Sequence, residues 1–418
     1  MFPAAFCDRF EQFHEHAPVH SWSQTEETLA AALGDDWSRM LELDREPIGS
    51  GCIAQVYRGK LRATGEDVAV KVIHPQVKRL VALDLQLMAA FVRLLEAVPR
   101  LRWLGGKDSV DEFANIMNRQ LNLRAEAENL EQFAEHFQGR KGGLRFPTPH
   151  MEFTTESVLV ESFEDGLHFH EIFSQLDPSR RKAAARVVLE SYLRMVFLDN
   201  FAHGDLHPGN LLFEAQPPIN AVSQPSVSRT GAGVVAVDAG IVTKLEPEDL
   251  RNFVELFHAV ATGDGYKAGE LIVSRSKPSK EKVQATTQTQ EQALRSTPSA
   301  RSSLSPQSAM TAMATSAEVI PMTAKCTNVE SFCEGMEKIV SEALHWRLSL
   351  QKVHVGALLR QVMELCCSHE VQLEGKYASI VVSIAVLEAV GRKLDPDIDL
   401  LAVALPIIAQ SLVKNVLN

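Results

Sequence analysis

Cysteine is scarce: six in 418 residues, at positions 7, 52, 326, 333, 366 and 367, with no C-x-x-C pair among them. That excludes a disulfide framework and a zinc knuckle and points to a reducing compartment. Basic residues are outnumbered, 42 Lys+Arg against 53 Asp+Glu, for a formal net charge of -11. Such a balance leaves no broad basic face for a polyanion, which argues against nucleic acid as a partner. Long apolar runs are missing as well. The longest near the C-terminus, Leu400 to Ile408, is flanked by Asp397, Asp399 and Lys414 and is about half of the ~20 residues that a membrane-spanning helix needs. It reads as a buried helix, so any contact with a membrane is peripheral. The opening Met-Phe-Pro-Ala-Ala-Phe-Cys-Asp lacks the basic start and apolar core of a secretory signal and the arginines of a transit peptide, so no address is read from it. Aromatics are only 6% of the chain, and none lies between Lys267 and Ser331. Ser, Thr, Gln, Ala and Pro dominate from Ser274 to Pro321, so residues 267–331 cannot bury enough surface to offset their ordering entropy and are expected to be a largely disordered insert.

Against these absences stand a 45% hydrophobic content and a 23% charged content, enough for a sizeable core and two or three domains at this length. Residues 1–45 read as an N-terminal helical extension, with Phe6, Phe10, Phe13, Leu29, Leu33, Trp37 and Leu41 at helical spacing. From Pro47 the texture changes. Ile53, Val56 and Tyr57, then Val68, Val70 and Val72, joined at Ala63-Thr64-Gly65, predict a β-hairpin. Helical patterns from Pro75 to Gly139, interrupted at Gly105-Gly106, and a strand over Val158 to Glu161 complete a β-rich segment, 46–166, with inserted helices. Segment 167–266 holds a helix over Arg180 to Phe201 and strand-and-loop stretches over Ala202 to Phe213 and Val234 to Lys244, with a polar loop insertion at 214–233. Residues 332–418 are helical in pattern, and no repeat of solenoid period is present.

The stretch Gly49-Ser50-Gly51-Cys52-Ile53-Ala54-Gln55-Val56 follows the pattern G-x-G-x-x-G-x-V, with Ala54 in the third glycine place. Glycines let backbone N–H groups approach phosphate oxygens without a Cβ in the way, although a lone glycine pair is as readily an ordinary β-turn. Val68-Ala69-Val70-Lys71 lies on the return strand of the same hairpin. A lysine there points under the loop at the α- and β-phosphates and needs a carboxylate to hold its ammonium. Strand lysines are ordinarily solvated, but this one follows three apolar residues on a half-buried strand. Among the acids on the following helices, Glu126 is favoured over Glu112 and Glu128 as that carboxylate, because apolar neighbours at helical spacing turn its face inward.

His203-Gly204-Asp205-Leu206-His207-Pro208-Gly209-Asn210 has the spacing H-x-D-x-x-x-x-N, and Val234 to Val237 lead into Asp238-Ala239-Gly240. Asp205 stands where a base or water-orienting carboxylate belongs. Asn210 and Asp238 supply the sparse oxygen donors that Mg2+ shares with substrate phosphates. His207 reads as structural, since a carboxylate is already present. Val158-Leu159-Val160-Glu161, followed by Gly166, reads as a hinge strand whose exposed backbone would hydrogen-bond an adenine edge. The expected nucleotide contacts are Gly49, Ser50, Gly51, Cys52, Ile53, Ala54, Val56, Ala69, Lys71, Glu161, Asn210 and Asp238. Asn210 and Asp238 are the expected metal ligands, and Asp205, Lys71 and Glu126 carry the reaction.

With Glu126-Ala127-Glu128-Asn129 and the late string Leu387 to Pro396, these motifs resemble the UbiB (aarF-domain) atypical kinase-like family from about residue 45 onward, the two polar inserts apart. Cys52-Ile53-Ala54-Gln55 and Gln120-Leu121-Asn122-Leu123-Arg124 are similar to an animal mitochondrial branch of it. The resemblance implies an α+β, two-lobed protein-kinase-like fold with a small β-rich N-lobe and a mostly helical C-lobe. It also implies ATP and Mg2+ as cofactors, residence in mitochondria peripheral to the inner membrane, and support of coenzyme Q and lipid metabolism as an ATPase or as a kinase of a small molecule or lipid.

The chain departs from the family at several places. The Lys-x-Gly-Gln helix has no counterpart, so Met1 is expected to mark a truncation or an internal start. The family's Glu-x-Asp pair is Gln120-Leu121-Asn122 here, which takes two carboxylates from the metal's surroundings. Gly49 and Gly51 stand where the family has alanines, and Ala54 where it has glycine. Gly204 replaces the arginine with which a regulated protein kinase grips an activation-loop phosphate, and no Ala-Pro-Glu follows Asp238, so no peptide-docking groove is expected. Two alternatives compete. One is a pseudokinase acting as a nucleotide-dependent binding module, suggested by the altered acid pair. The other is an aminoglycoside- or choline-type small-molecule kinase, whose loops also read His-Gly-Asp-x-His-x-x-Asn, but which the Ala54-Gln55-Val56 loop and the Leu394-Asp395-Pro396 tail disfavour.

Overall fold

A computed structural model describes residues 19–96, 106–139, 143–214, 233–275, 328–348, 355–369, 371 and 375–417. Phe6, Phe10 and Phe13, loop residues 215–232 and residues 276–327 of the expected insert lie outside them. The chain divides into two compact units. Residues 1–195, 201–244 and 390–398 make the first, and 196–200, 245–389 and 399–418 the second.

The first unit begins with α1 (Trp22–Leu33) and α2 (Trp37–Met40). Ser21 and Gln24 close the start of α1 in a reciprocal capping box, and Gly34, at φ 92°, ends it. There follow β1 (Leu41–Leu43), β2 (Gly49–Ser50), β3 (Ala54–Leu61), β4 (Asp67–Ile73), α3 (Val77–Glu96), α4 (Gly106–Gln120), α5 (Leu123–Phe137), β5 (Leu144–Arg145) and β6 (Val158–Ser162). One antiparallel sheet has the order β1-β3-β4-β6, with β2 also on β3. The predicted hairpin is β3–β4, its turn closed where Gly65, at φ 75°, donates its N–H to Leu61 O at 2.7 Å. β1 corrects the helical expectation for Leu41. Pairing with Leu61 satisfies its backbone and buries its side chain, so the sheet starts before residue 46.

Period-2 alternation divides this sheet into two faces. Tyr57, Val68, Val70, Val72, Val158 and Val160 pack with Leu29 of α1 and Leu41, covered by Trp22, Leu33 and Trp37. Each such fully buried large side chain stabilises by ~1.5–3 kcal/mol, so the N-terminal helices are part of this lobe's core and not an appendage. Val56, Ala69, Lys71, Leu159 and Glu161, one step out of phase, face the other way. On α3, by contrast, Leu80, Leu83, Leu87, Phe91 and Leu94 are exposed.

The unit continues with α6 (Ile172–Gln175), α7 (Pro178–Phe197), β7 (Ala202–His203), β8 (Leu211–Phe213), β9 (Val234–Ala236) and β10 (Val242–Thr243). α7 stops at Phe197, short of the expected Phe201, and Asn200 follows in the left-handed region at φ 50°. β7 pairs with β10, and β9 lies between antiparallel β8 and parallel β5.

The second unit is helical: α8 (Pro247–Thr262), α9 (Gly265–Arg275), α10 (Val329–Leu348), α11 (Val355–Ser368), most of α12 (Gly375–Leu394) and α13 (Leu400–Leu417). Ala268, Leu271, Ile272 and Val273 of α9 bury against Phe332, Met336 and Val340 of α10. That corrects both ends of the 267–331 insert. Residues 267–275 and 329–331 are helical, because a short aliphatic run without aromatics still forms a core once a partner helix covers it. Leu400, Ala404, Ile407 and Ile408 of α13 are buried. Among the described residues no helix is long and apolar enough to cross a membrane.

Candidate active site

The start of α5 sets the position of its inward face. Asn122 Oδ1 accepts the N–H groups of Arg124 at 3.1 Å and Ala125 at 3.3 Å, a helix N-cap. From there Glu126, Leu130, Phe133 and Phe137 fall on one buried stripe. The Asn122 amide therefore serves the helix end.

Lys71, on the face of β4 opposite the valine core, meets that stripe. Its Nζ donates to Glu126 Oε1 at 2.9 Å and Oε2 at 3.0 Å, and to Asp238 Oδ2 at 2.9 Å. The side chains are 17% exposed for Lys71, 3% for Glu126 and 36% for Asp238. Burial works to lower the Lys71 pKa, but the Asp238 and Glu126 carboxylates together outweigh it and hold the amine above its usual range. Burial pushes Glu126 up to about 7 against the pull of Lys71. Burial would raise Asp238 too, yet Lys71 and the Gly240 N–H, which donates to Oδ1 at 3.0 Å, hold it below the usual carboxylate range. A proton entering this cluster therefore sits on Glu126 before Asp238.

Residues that the motif reading did not single out hold these groups in place. Asn129, one helical turn after Glu126, donates Nδ2 to Ala239 O at 2.8 Å and anchors the Asp-x-Gly loop. The i, i+3 spacing with Glu126 was the available signal. Buried His203 accepts the Asp205 N–H on Nδ1 at 3.1 Å and hydrogen-bonds Asp238 O through Nε2. Its proton is thus on Nε2, and burial lowers its pKa and keeps the ring neutral. One imidazole links the two loops.

Asn210 donates Nδ2 to Asp205 O at 3.0 Å, which leaves its Oδ1 as an acceptor, and its own carbonyl takes the Val237 N–H at 3.1 Å. His207 caps the turn Pro208–Asn210, accepting the Gly209 N–H on Nδ1 at 3.1 Å. The Asp205 side chain is 48% exposed. At Gly204 any Cβ would run into Ile241, so the close approach of that residue leaves no room for an arginine.

In the glycine loop, Gly49 pairs with Val56 and Ser50 with Gln55. A Cβ at Gly49 would meet nothing within 4 Å, and one at Gly51 only Ala54 O at 3.7 Å, so the space over the loop is open. Cys52 is exposed there, Ile53 half-buried and Ala54 buried. Ser50 shares the Gln55 face, its buried Oγ without a partner, so toward the cleft it offers only backbone. Unforeseen from the motif, His74 Nε2 bonds Gly51 O at 2.8 Å, and its Nδ1 lies 2.6 Å from His20 Nδ1. Thr25 Oγ1 continues the chain, 2.9 Å from His20 Nε2 and 2.6 Å from Tyr57 OH.

The hinge expectation for Glu161 needs correction. Val160 O accepts the His150 N–H at 2.8 Å, and the Ser162 N–H donates to Thr148 O at 2.9 Å. β6 is thus paired on one edge with β4 and on the other with the returning segment 148–150, so the backbone at Val160 and Glu161 is taken up by the sheet. What Glu161 turns toward Lys71 is its side chain.

The donors suit a magnesium nucleotide. Among the described residues no group of three or more His, Cys, Asp or Glu is placed to hold a metal alone. One carboxylate and one amide oxygen suit a hard ion that takes its other oxygens from phosphates and water.

Comparison with known proteins agrees in kind. Residues 12–272 match the ABC1 atypical kinase-like domain, and residues 342–399 match the UbiB helical domain. A mitochondrial ABC1 family protein of Schizosaccharomyces pombe is 28% identical over 99% of this chain and 62% of its own length. A mitochondrial ABC1 family protein of Saccharomyces cerevisiae is 29% identical, over 98% and 64% respectively. A probable protein kinase UbiB of Vibrio parahaemolyticus is 28% identical over 65% of this chain and 48% of its own. The chain thus spans less than two thirds of the length of these relatives. A Mycobacterium tuberculosis protein solved in complex with erythromycin superposes with a TM-score of 0.55 at 16% identity, over 94% of this chain and 85% of that one, a likeness of fold.

Proposed function

This chain belongs to the ABC1 atypical kinase-like family, and on that premise we propose that it binds ATP with Mg2+ and transfers the terminal phosphoryl group to water or to a small-molecule or lipid hydroxyl. The observation that carries the reading is the placement of Lys71 Nζ, on β4, within 3.0 Å of carboxylates from α5 and from the loop after β9. Lys71, fixed by Glu126, holds the α- and β-phosphates under the open Gly49–Gly51 loop. Asn210 and Asp238 are the residues that would hold Mg2+, which when bound draws charge from the phosphate oxygens. Asp205, half exposed, orients the acceptor O–H. As that oxygen bonds phosphorus and the bridging oxygen leaves with the nucleoside diphosphate, the acceptor proton passes to the Asp205 carboxylate. Positioning and charge stabilisation carry the rate.

A second reading, a nucleotide-dependent binding module, is favoured by one observation. Asp238 engages Lys71 with one oxygen and the Gly240 N–H with the other, so a metal would share oxygens that already serve the ammonium and the loop. Phosphate release from Mg-ATP by wild type and Asp205→Asn, beside Mg-ATP thermal shifts of wild type, Lys71→Ala and Asp238→Asn, separates the two. The enzyme reading requires a thermal shift that Lys71→Ala and Asp238→Asn reduce, and a release rate that Asp205→Asn lowers by about 100-fold or more. Equal, near-zero rates with the shift retained would leave the binding module. The aminoglycoside- or choline-type alternative has no support from the relatives found.

The fungal relatives' names support residence in mitochondria. Peripheral contact with the inner membrane and a role in coenzyme Q and lipid metabolism rest on the family resemblance. The run of exposed leucines and phenylalanine on α3 favours that helix as the contact over α13, where Leu400, Ala404, Ile407 and Ile408 are buried and Val413 is exposed. Flotation with liposomes, weakened by joint Leu83→Gln, Leu87→Gln and Phe91→Gln substitution, is the expected result; unaltered flotation counts against α3.

A further inference from the structure

A third carboxyl group faces the Lys71 side of the sheet. Glu161 stands directly opposite Ala69 in the β4–β6 register, as Leu159 stands opposite Lys71. Residues opposite one another share a face, and the alternate residues of both strands lie in the valine core behind it. Glu161 is therefore aimed where Lys71 is aimed, toward Glu126 and Asp238. It is 6% exposed, and its Oε2 has no hydrogen-bond partner. Burial raises its pKa well above the usual carboxylate range, and the Glu126 carboxylate adds to that. A buried polar atom left unpaired in a native fold needs an explanation, and a bound ligand is one that fits a carboxyl facing the cleft.

Its place in the sheet says which part of a ligand that partner is. Lys71 and the Gly49 loop meet across the Gly49–Val56–Lys71 row. Ala69 and Glu161 lie two residues along the strand, about 7 Å away. That step is about the span of a ribose between a phosphate and its base. We propose that the side chain of Glu161 reads the base of the bound nucleotide, with its free Oε2 accepting a hydrogen bond from the exocyclic amine of adenine. This rests on the nucleotide reading of the site and adds the element that selects the base.

The test is a binding measurement, with Mg-ATP and its 6-desamino analogue, purine riboside triphosphate, titrated calorimetrically into the full chain. Wild type should prefer ATP by about 10- to 100-fold, the range of a hydrogen bond to a carboxyl group. Glu161→Leu should bind both nucleotides alike, and Glu161→Gln, which keeps an acceptor oxygen, should retain most of the preference. The leucine variant removes an unpaired buried oxygen, so its melting temperature without ligand should equal or exceed that of wild type. A lower one would mean that the carboxyl has a protein partner and would overturn the inference. If wild type binds no ATP, the nucleotide reading falls and this goes with it. If ATP binds but Glu161→Leu still discriminates, this inference alone is wrong.

Discussion

Replacing Lys71 with Met tests the site without any ligand. The thioether keeps most of the lysine stem's packing but removes an ammonium that stands within 3.0 Å of two carboxylates. Glu126, 3% exposed, has no water to turn to, and breaking a buried pair from one side costs about 3–5 kcal/mol. Asp238 is one-third exposed, and its share is screened to about 0–1 kcal/mol. The expected loss at pH 8 is therefore about 3 kcal/mol. Its pH dependence identifies the cause. Glu126 is already pushed up to about 7, and without Lys71 it moves higher. A carboxyl raised in the folded state above its unfolded value binds a proton that the unfolded chain releases, so stability falls as pH rises between the two values. In wild type that fall is complete near pH 7, while in the variant it continues. The loss should thus shrink by about 1 kcal/mol on going from pH 8 to pH 6. Lys71 itself, raised above its usual value, contributes undiminished over this range, since a raised amine loses its contribution only at higher pH. Urea titrations followed by circular dichroism at both pH values measure the difference, and Lys71→Met combined with Glu126→Gln should recover most of it. A loss below about 1 kcal/mol, or one independent of pH, would show that the carboxylates do not depend on Lys71.

At the start of α5, Asn122→Ala should cost about 1 kcal/mol in a urea titration, whereas Asn122→Asp, which keeps the acceptor, should stay within a few tenths. An equal cost for both would mean that the amide works elsewhere than at the cap. Gly204→Ala drives a methyl into Ile241 and should destabilise by about 1–3 kcal/mol, read as a lower melting temperature. His74→Ala frees the Gly51 carbonyl from its anchor and should reduce the Mg-ATP thermal shift while leaving the far-UV spectrum unchanged; an unchanged shift would show that the loop holds itself. Glu161 is raised by burial among Glu126, Lys71, Asp238 and Glu164, so it makes wild-type stability fall as pH rises above its unfolded value. Glu161→Leu should flatten that slope in melting experiments from pH 5 to pH 8.

What could be read in the sequence was whatever a local pattern encodes. The β3–β4 hairpin follows from alternation and a Gly65 turn, and Glu126 from its place on an apolar stripe. Joining Lys71 to Asp238, 167 residues apart, took chemistry, because a buried ammonium demands carboxylates whatever their distance along the chain. What escaped the sequence depended on a partner. Leu41 has helical spacing but is a strand because Leu61 lies beside it. Leu271 to Val273 lack aromatics but are core because α10 covers them. His203 and Asn129 contact backbone carbonyls, which no side-chain pattern reveals. Glu161 is the sharpest case. A run of apolar residues ending in an acid marks β6 as a buried strand, and period 2 puts Val158 and Val160 on one face and Leu159 and Glu161 on the other. Which face is the cleft is settled only by the registers with β4 and with segment 148–150. Those pairings close the backbone that was expected to meet a base and present a carboxyl in its stead. With the backbone at Val160 and Glu161 taken up by its neighbours, what this strand turns to the cleft there is a side chain, which is why the proposal assigns base selection to residue 161.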